Sequence, residues 1–550
     1  MSADLSHSVR QWGSAIPAVL ASGMLAPVGP RKAAALARSF YRYGPTPAML
    51  LAATAIRHPD KIAIIDDSGQ LTYRQLQLRA EAIAAALFAA CPAPPRSVGI
   101  ICRNHRGFAE ALAAGAQLGA ELIFINTELP AAQLHAIVAR HNPDVLIYDD
   151  EYAATVADSG FAGVRVLAWC EPDTEPAGLP TLDDMAARSN PAPPRVRHAV
   201  KLTLLTSGTT GLAKGVPRAV KPTAIVTLTL TAMAILRLRS TDRVLVAPPF
   251  FHGFGLLSLL GPLALGGTAI CRRRFDAATA LDDIARHQIS VVLAVPVMLQ
   301  RLLAAAGETD TAAAREHLRI MVTGAAPISP TTISKLIETF GPIVVNGYGS
   351  TEAGLVTIAT PADLVAAPDT IGRTALGVSV RILRADRTEA APGEIGEIFV
   401  RSGLEYTGYT PDPAAKVSTK EVVDGHVSTG DMGHFDAQRR LFIDGRADDM
   451  IVSGGENVFP GEVEDRLATH PAITDAVVIG VPDAEFGQVL NAFVVLGPAA
   501  EVPSEDELKQ HVREGLERYK VPKRFVVLDE IPRNASGKVL RAKLHAAAGS

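Results

Sequence analysis

Residues 202–215 read LTLLTSGTTGLAKG. The apolar run Leu202–Leu205 is typical of a buried strand, and the glycines and hydroxyl side chains after it predict a loop. Glycines let the backbone turn and expose successive N–H groups, and Lys214 adds a positive charge. Such a loop is suited to holding a polyphosphate, although an ordinary flexible loop is the alternative. Its glycine–lysine spacing differs from that of a Walker A loop.

Short apolar runs alternate with helical stretches on both sides of this loop, which predicts an α/β fold with a mostly parallel sheet. The first series has the strands Val98–Cys102, Leu122–Asn126 and Val145–Tyr148 and the helices Tyr73–Ala90, Gly107–Leu118 and Ala131–Arg140. The second series has the strands Val244–Ala247, Thr268–Cys271, Val291–Val295, Ile320–Thr323 and Val344–Asn346. We therefore expect two α/β sheets within one large domain.

The sequence pattern changes after residue 360, where short strands and glycine-rich turns predict a small distorted β-barrel. These strands are Val378–Arg384, Glu397–Arg401 and Arg440–Asp444. The last hundred residues alternate helices and strands and predict a smaller α+β domain. We therefore expect a large N-terminal domain, residues 1–445, a hinge at residues 446–448 and a mobile C-terminal domain, residues 449–550.

The composition excludes several classes of protein. Hydrophobic residues make up 48% of the chain of 550 residues and charged residues 20%, as in a globular protein. A net charge of −4 gives no general attraction to nucleic acid. The cysteines lie far apart, which suggests neither a zinc site nor a disulfide framework and fits a reducing compartment. They are Cys91, Cys102, Cys170 and Cys271.

Two apolar stretches bear on location. Gly253–Cys271 lacks charge but contains glycines and Pro262, so we interpret it as a buried core segment rather than a membrane span. Near the N-terminus, we interpret Ile16–Val28 as a helix that packs against the rest of the protein. The alternative is an amphipathic extension, residues 1–45, that rests on a membrane through Trp12 and the apolar run, with headgroup contacts from Arg31, Lys32, Arg38 and Arg42. The expected location is the cytoplasm, with peripheral contact at the inner face of the membrane left open. A homodimer is also left open.

Further motifs follow the loop in a fixed order. They are Pro248–His252, Gly324–Pro327, Asn346–Glu352, Ser428–Asp431, Gly445–Glu464 and Pro532–Lys538. Together with the loop they resemble the signature of the adenylate-forming enzymes, which include acyl- and aryl-CoA synthetases, luciferases and peptide-synthetase adenylation domains. The resemblance extends from about Pro59 to Lys543.

This resemblance implies substrates and a metal, namely ATP, coenzyme A, a carboxylic acid and Mg²⁺. It implies stacking of adenine on Tyr348, a contact of Thr351 to the α-phosphate, and ribose contacts from Asp431 and Arg446. It implies Glu352 as a metal ligand, and the metal set that we predict also includes Thr209. The implied ATP- and AMP-binding residues are Thr206, Ser207, Gly208, Thr209, Thr210, Gly211, Lys214, Gly324, Ala325, Ala326, Asn346, Gly347, Tyr348, Gly349, Asp431 and Arg446.

The family also implies catalytic roles for Lys538, Thr351, Glu352 and His252. Lys538 would bridge the carboxylate and the α-phosphate, where a compact cation lets two anions approach. His252 would lie at the mouth of the acyl pocket.

A second half-reaction is implied by the segment between the domains. Asp448 matches the family's hinge, whose rotation would withdraw Lys538 and bring the predicted CoA-binding residues to the site. These are Ser453, Gly454, Gly455 and Glu456. The CoA thiolate would then attack the acyl-adenylate and release AMP.

The acid is the least defined part of the prediction. Val422–His434 and Met450–Pro460 resemble actinobacterial fatty acid–CoA ligases, so a fatty acid is expected. An aryl-CoA ligase shares every motif, and an acyl-AMP ligase that loads a carrier protein is a further alternative. A luciferase-type oxygenase and a non-catalytic sensor are the remaining ones.

Overall fold

The structure is a computed structural model. It describes residues 17, 22, 26–129, 131–171, 178–188, 200–206, 214–217, 235–307, 312–350, 354–402, 420–447, 449–453, 456–483, 486–497, 502–534 and 537–548. The chain divides into two compact units. The first comprises Met1–Ala294, Ala304–Met321 and Leu404–Ser418, and the second Val295–Leu303, Val322–Gly403 and Thr419–Ser550.

The first unit alternates helices with short strands. Its described helices are α1 (Pro30–Tyr43), α2 (Pro47–Arg57), α3 (Tyr73–Ala90), α4 (Arg106–Leu118), α5 (Ala131–His141), α6 (Ala153–Asp158), α7 (Leu182–Ala187), α8 (Gly253–Leu265) and α9 (Ala277–Arg286). Its strands are β1 (Ile62–Asp66), β2 (Gly69–Thr72), β3 (Ser97–Ile101), β4 (Glu121–Phe124), β5 (Val145–Asp149), β6 (Val164–Trp169), β7 (Leu202–Thr206), β8 (Lys214–Pro217), β9 (Arg243–Val246), β10 (Thr268–Ile270) and β11 (Val291–Leu293).

These strands form two mostly parallel groups. The first has the order β6-β5-β3-β4-β7-β8, and its strands run parallel except β8, which returns antiparallel beside β7. The second has the order β11-β9-β10-β1-β2, parallel except for the β1–β2 hairpin. Their strands are nearly continuous apolar runs, as expected where helices cover both faces of a sheet.

Two elements contain residues of both units, namely α10 (Pro296–Ala306) and β12 (Ile320–Gly324), whereas α11 (Ala312–His317) belongs to the first. The described helices of the second unit are α12 (Pro330–Phe340), α13 (Pro361–Ala366), α14 (Pro460–Ala468), α15 (Glu505–Arg513) and α16 (Arg541–Ala548). Its strands are β13 (Val344–Ser350), β14 (Gly354–Ala359), β15 (Arg373–Thr374), β16 (Ser379–Leu383), β17 (Gly396–Arg401), β18 (Val422–Val423), β19 (His426–Phe435), β20 (Leu441–Arg446), β21 (Ile451–Ser453), β22 (Glu456–Val458), β23 (Ile473–Asp483), β24 (Gly487–Leu496) and β25 (Arg524–Val527).

Three strand groups build the second unit. One runs β12-β13-β14-β15 and ends in antiparallel pairs. A second is antiparallel, with the order β16-β17-β19-β18 and β20 beside β19, and it has its own apolar core that includes Val380, Ile398 and Leu441. The third, β22-β21-β24-β23 with β25 beside β24, packs its apolar side chains around Val463 and Leu467 of α14.

The predicted fold class is confirmed: parallel α/β sheets, a small antiparallel sheet and an α+β segment near the C-terminus. One local prediction was wrong: Lys214, expected in a loop, begins β8 opposite Thr206, because β8 pairs with β7. Tyr348 and Gly349 lie on β13, which pairs with β14. Asp431 lies within β19, which pairs with β17 and β20.

The apolar stretch Gly253–Cys271 lies in the core as predicted, although its order is helix then strand: α8 followed by β10. Within the described ranges, each helix is too short or too polar to cross a bilayer.

A carboxyl group on α14 is partly buried among other acids. This helix packs against β23 and also contacts α12 and β20. Burial, followed by the negative charges of Glu464 and Asp369, raises the pKa of Asp465 to about 7. Because this pKa lies above the unfolded value, ionised Asp465 destabilises the native state at pH 8, and protonation relieves the cost as the pH falls from 7 toward 4.

Replacement of Asp465 by Asn removes that cost, so we expect a higher melting temperature at pH 8 and a gain that shrinks steadily as the pH falls to 5.5. Differential scanning fluorimetry at several pH values measures this difference. Asp529→Asn, at an exposed position, is the matched control and should leave the melting temperature unchanged. A gain for Asp465→Asn that is the same at every pH would contradict the explanation.

Candidate active site

A side-chain hydrogen bond connects two strands of the second unit at the predicted nucleotide site. Tyr348 on β13 donates its hydroxyl to Oδ2 of Asp431 on β19 across 2.5 Å. Burial is the main cause that raises the pKa of Tyr348, and the nearby Asp431 charge adds to it. The phenol therefore stays protonated and acts as a donor at neutral pH.

Asp431 has a second partner on the neighbouring strand. Arg446 is its register partner in the β19–β20 pair, and Nη1 of Arg446 donates to Oδ1 of Asp431 across 3.2 Å. Burial raises the pKa of Asp431, whereas the hydrogen bond from Tyr348 and the positive charges of Arg446, Lys420 and Lys538 oppose that rise. The carboxylate is 9% exposed, so these partners are what make a buried anion tolerable.

The backbone beside Asp431 is shaped by a glycine. Gly430 has a φ of 79°, a conformation that glycine adopts readily and that strains other residues. A Cβ atom there would lie 3.1 Å from Nζ of Lys420 and 3.3 Å from Nη2 of Arg446. The Asp431 N–H donates to Oγ1 of Thr429 across 3.1 Å, which holds the backbone in this shape.

Sequence reasoning missed Lys420. Its Nζ donates to the carbonyl of Thr429 across 2.9 Å, and the Gly430 geometry places it on the same side of the strand as the Arg446 guanidinium. No sequence feature pointed to Lys420 as a neighbour of Asp431, because it lies eleven residues before Asp431 and outside the motifs. Only the pairing of β18 with β19 brings this part of the chain back.

The motif Gly324–Pro327 lies where two backbones approach closely. A Cβ atom on Gly324, at the end of β12, would lie 2.4 Å from the carbonyl oxygen of Gly347 on β13. Ala325 has a φ of 67° and is exposed. Asn346 is buried, whereas Ala326 and Gly347 are half-buried. Glycine at position 324 is therefore what lets the end of β12 approach β13 this closely.

Gly349 is required for a similar reason. A Cβ atom on it would lie 2.2 Å from the carbonyl oxygen of Gly354, in the pair of β13 with β14. The predicted residues Thr351 and Glu352 lie outside the described residues.

Lys538 lies in a tight loop near the C-terminus. Its N–H donates to Oδ1 of Asn534 across 2.9 Å, and the Asn534 N–H donates to the Lys538 carbonyl across 2.8 Å. Gly537, with a φ of 81°, lets the backbone turn between them. The side chain of Lys538 is exposed, and its charge reaches Asp431.

The predicted CoA segment forms a β-hairpin. Ser453 on β21 is the register partner of Glu456 on β22; Ser453 is buried and Glu456 exposed. Gly454, Gly455 and the predicted hinge residue Asp448 lie outside the described residues. Next to the hinge, the Asp449 N–H donates to the Arg446 carbonyl across 3.2 Å, and its carboxylate pairs with Arg541 at 3.3 Å.

Two predicted features belong to the first unit. The phosphate loop is bounded by the cross-strand partners Thr206 and Lys214; the loop residues Ser207, Gly208, Thr209, Thr210 and Gly211 lie outside the described part of the chain. His252 immediately precedes α8, with its ring 4.6 Å from that of the buried Phe251. The second unit thus unites Tyr348, Asp431, Arg446 and the charge of Lys538; the roles given to all these residues stay predictions.

Comparison with known proteins identifies related enzymes. A model described as AMP-binding enzyme matches residues 51–410, and one described as AMP-binding enzyme C-terminal domain matches residues 462–538. The chain is 33% identical over 500 residues to indoleacetate–CoA ligase of Aromatoleum aromaticum, which covers 88% of this chain and 93% of the relative. It is also 33% identical over 507 residues to feruloyl-CoA synthase of an Amycolatopsis species, covering 90% and 95%. A solved structure of o-succinylbenzoate CoA synthetase from Bacillus subtilis with its acyl-adenylate intermediate matches with a TM-score of 0.76 and 27% identity over 90% of this chain and 97% of that one.

Substitution of Asp431 by Asn leaves the shape but removes the charge that Tyr348 and Arg446 stabilise. A hydrogen bond to a charged group contributes roughly 1.5–3 kcal/mol, so we expect the KM for ATP to rise by about 10- to 100-fold. Initial rates of pyrophosphate release at varied ATP measure it. Asp424→Asn, at a side chain that is 76% exposed in the same hairpin, is the control. An unchanged KM for ATP in Asp431→Asn would contradict the role.

Lys420→Met removes the donor to the Thr429 carbonyl and one cation near Asp431. We expect the KM for ATP to rise by about 2- to 10-fold, the effect of one ordinary hydrogen bond, with a smaller change in kcat. Lys420→Arg should restore most of the affinity. A loss of kcat with an unchanged KM would argue against a positioning role.

Proposed function

Because the chain belongs to the AMP-binding enzyme family, we propose that it joins an aromatic carboxylic acid to coenzyme A. The chain is an ATP-dependent carboxylate–CoA ligase that works through an acyl-AMP. A carboxylate oxygen attacks the α-phosphorus of ATP, and pyrophosphate leaves. The thiolate of CoA then attacks the acyl carbon, and AMP leaves with the electrons of the broken C–O bond.

The structural observation that supports the nucleotide part of this proposal is the Asp431 carboxylate held by Tyr348 and Arg446. A carboxylate fixed in this way can accept hydrogen bonds from both hydroxyls of a ribose, because each oxygen retains unused acceptor positions. We assign the purine to a position against the ring of Tyr348 and the backbone of residues 324–327. In this proposal these groups hold the adenosine of both ATP and the acyl-adenylate.

Lys538 is the group that we assign to the first half-reaction. Two anions, the substrate carboxylate and the α-phosphate, must approach each other, and the negative charge grows on the oxygens in line. A compact ammonium group between them lowers that barrier. The effect of Lys538 on the charge of Asp431 supports a position near the nucleotide.

The second half-reaction is assigned to the hairpin that carries Ser453 and Glu456. We assign Gly454 and Gly455 to the passage of the pantetheine arm, and Asp448 to the hinge about which the C-terminal domain turns. Mg²⁺ would supply charge neutralisation at the phosphates, with Glu352 and Thr209 as its ligands in this proposal.

The acid that we propose differs from the one expected from the sequence. A fatty acid was expected, whereas several of the related enzymes act on indoleacetate, ferulate or succinylbenzoate, which are acids that carry an aromatic ring. These relatives favour the aryl-CoA ligase alternative.

A substrate panel tests this proposal. We expect pyrophosphate release with indoleacetate, ferulate or 2-succinylbenzoate to exceed release with octanoate or palmitate by at least about tenfold in kcat/KM, the effect of some 1.4 kcal/mol. Thioester formation should require CoA. Higher kcat/KM for the aliphatic acids would reject the aromatic assignment, and adenylation without thioester would reject CoA as acceptor.

Lys538→Ala separates the two half-reactions. We expect loss of acyl-adenylate formation by at least about 100-fold, with thioester formation from supplied acyl-adenylate retained, because the lysine acts only in the first step. Single-turnover assays of each step measure this. Lys543→Ala, at an exposed lysine on α16, should retain both. Equal loss of both steps in Lys538→Ala would show that the lysine has another role.

A further inference from the structure

One side of helix α1 packs against the first unit. The buried Tyr43 donates its hydroxyl to Glu81 across 3.1 Å, and Nζ of Lys32 donates to the carbonyl of Arg57 across 2.9 Å. The helix also packs against α2. These contacts fix its orientation, so the opposite side of α1 is a defined surface.

That opposite side combines aromatic and basic side chains. Phe40 is 57% exposed and Tyr41 65% exposed. Ala33, Ala37 and Phe40 follow one line along the helix at the spacing i, i+4, i+7. The adjacent line carries Arg31, Arg38 and Tyr41, all exposed. We call this surface, formed by Arg31, Ala33, Ala37, Arg38, Phe40 and Tyr41, the α1 face.

The charge around the α1 face is positive. The sequence of α1, PRKAAALARSFYRY, contains four basic residues and no acid. At the end of α2, burial first and then the positive charges of Lys61, Arg57 and Lys32 lower the pKa of His58. The basic character therefore extends from α1 to α2, although the whole chain carries a net charge of −4.

An apolar opening lies beside the same helices. Leu50 on α2 is 41% exposed and lines a small cavity of about 20 Å³ between α2, α3, α4 and α8. The other side chains that line it are also apolar. Oγ1 of Thr54 donates to the carbonyl of Ala264, which sets α2 alongside α8. Leu50 lies one turn before Thr54, Leu260 lies one turn before Ala264, and both line the cavity. Leu257, one turn before Leu260 on α8, is 53% exposed.

We propose that the α1 face binds the surface of an anionic lipid bilayer, with Phe40 and Tyr41 at headgroup depth and Arg31 and Arg38 on lipid phosphates. Aromatic side chains beside arginines on one helix suit the boundary between headgroups and acyl chains. Anionic lipids attract each nearby basic residue. This proposal goes beyond the ligase activity and is independent of it.

The residues differ from those expected from the sequence. The expectation placed Trp12 and the run Ile16–Val28 in the membrane, and most of those residues lie outside the described ranges. The basic residues Arg31, Arg38 and Arg42 were foreseen. Phe40, Tyr41 and Leu50 were not, because only the packing of Tyr43 and of α2 decides which side of α1 faces outward.

Vesicle flotation of the full-length protein tests the proposal. We expect the protein to float with vesicles of equal parts phosphatidylglycerol and phosphatidylcholine, and not with phosphatidylcholine alone. The double variant Arg31→Gln/Arg38→Gln should bind the anionic vesicles at least about tenfold more weakly. The variant Phe40→Ser/Tyr41→Ser should lose a similar factor. Pyrophosphate release by each variant confirms that it is folded.

The matched control removes the same charge elsewhere in the first unit. Arg286 on α9 and Arg315 on α11 are exposed, and Arg286→Gln/Arg315→Gln should bind the vesicles as the unchanged protein does. Phe40→Trp provides a local readout: we expect a blue-shifted emission and quenching by brominated lipid. Equal vesicle binding by the test and control variants would overturn the proposal. So would a Phe40- and Tyr41-dependent dimer in light scattering without vesicle binding, which would assign the α1 face to a second copy of this chain.

Discussion

The hydrogen bond from Tyr348 to Asp431 joins two sheets of the second unit. Tyr348 lies on β13, in the group that β12 begins, and Asp431 lies on β19, in the small antiparallel sheet. Since β19 also pairs with β20, the same carboxylate holds Arg446. A buried carboxylate without partners costs several kcal/mol. The alignment of three strands is therefore tied to one charge, and a ligand that approaches this charge meets groups already in place.

Close backbone approach is the second constraint on this region. Gly324 lies against Gly347, Gly349 against Gly354, and Gly430 against two cations. A methyl group at Gly324 or Gly349 would collide with backbone, and one at Gly430 would crowd two cations and strain a positive φ. These glycines are recognised in the sequence as motif positions. Their physical reason is visible only when the neighbouring strand is known.

The chain also shows how little net charge says about a surface. The net charge of −4 is the small difference between 53 basic and 57 acidic residues. In the structure, many arginines pair with acids, as Arg79 does with Glu110 and Arg106 does with Asp66. Arg31 and Arg38 lie on the same helix as the exposed rings of Phe40 and Tyr41. Local sign, not the total, decides which partner such a surface attracts.

Much of the fold follows from local pattern. Apolar runs of strand length between helical stretches predict the α/β class, and the ordered motifs predict an adenylate-forming enzyme, because both depend on residues that are near in sequence. Strand pairing was not predictable. Lys420 reaches Asp431 only because β18 returns along β19, and Tyr348 meets Asp431 across 83 residues of sequence. The sequence by itself determined which residue types could carry the chemistry and the order of the elements. The tertiary structure alone decided which of them meet, which side of α1 faces outward, and the burial that raises the pKa of Asp431 and Asp465, because these depend on contacts between distant segments.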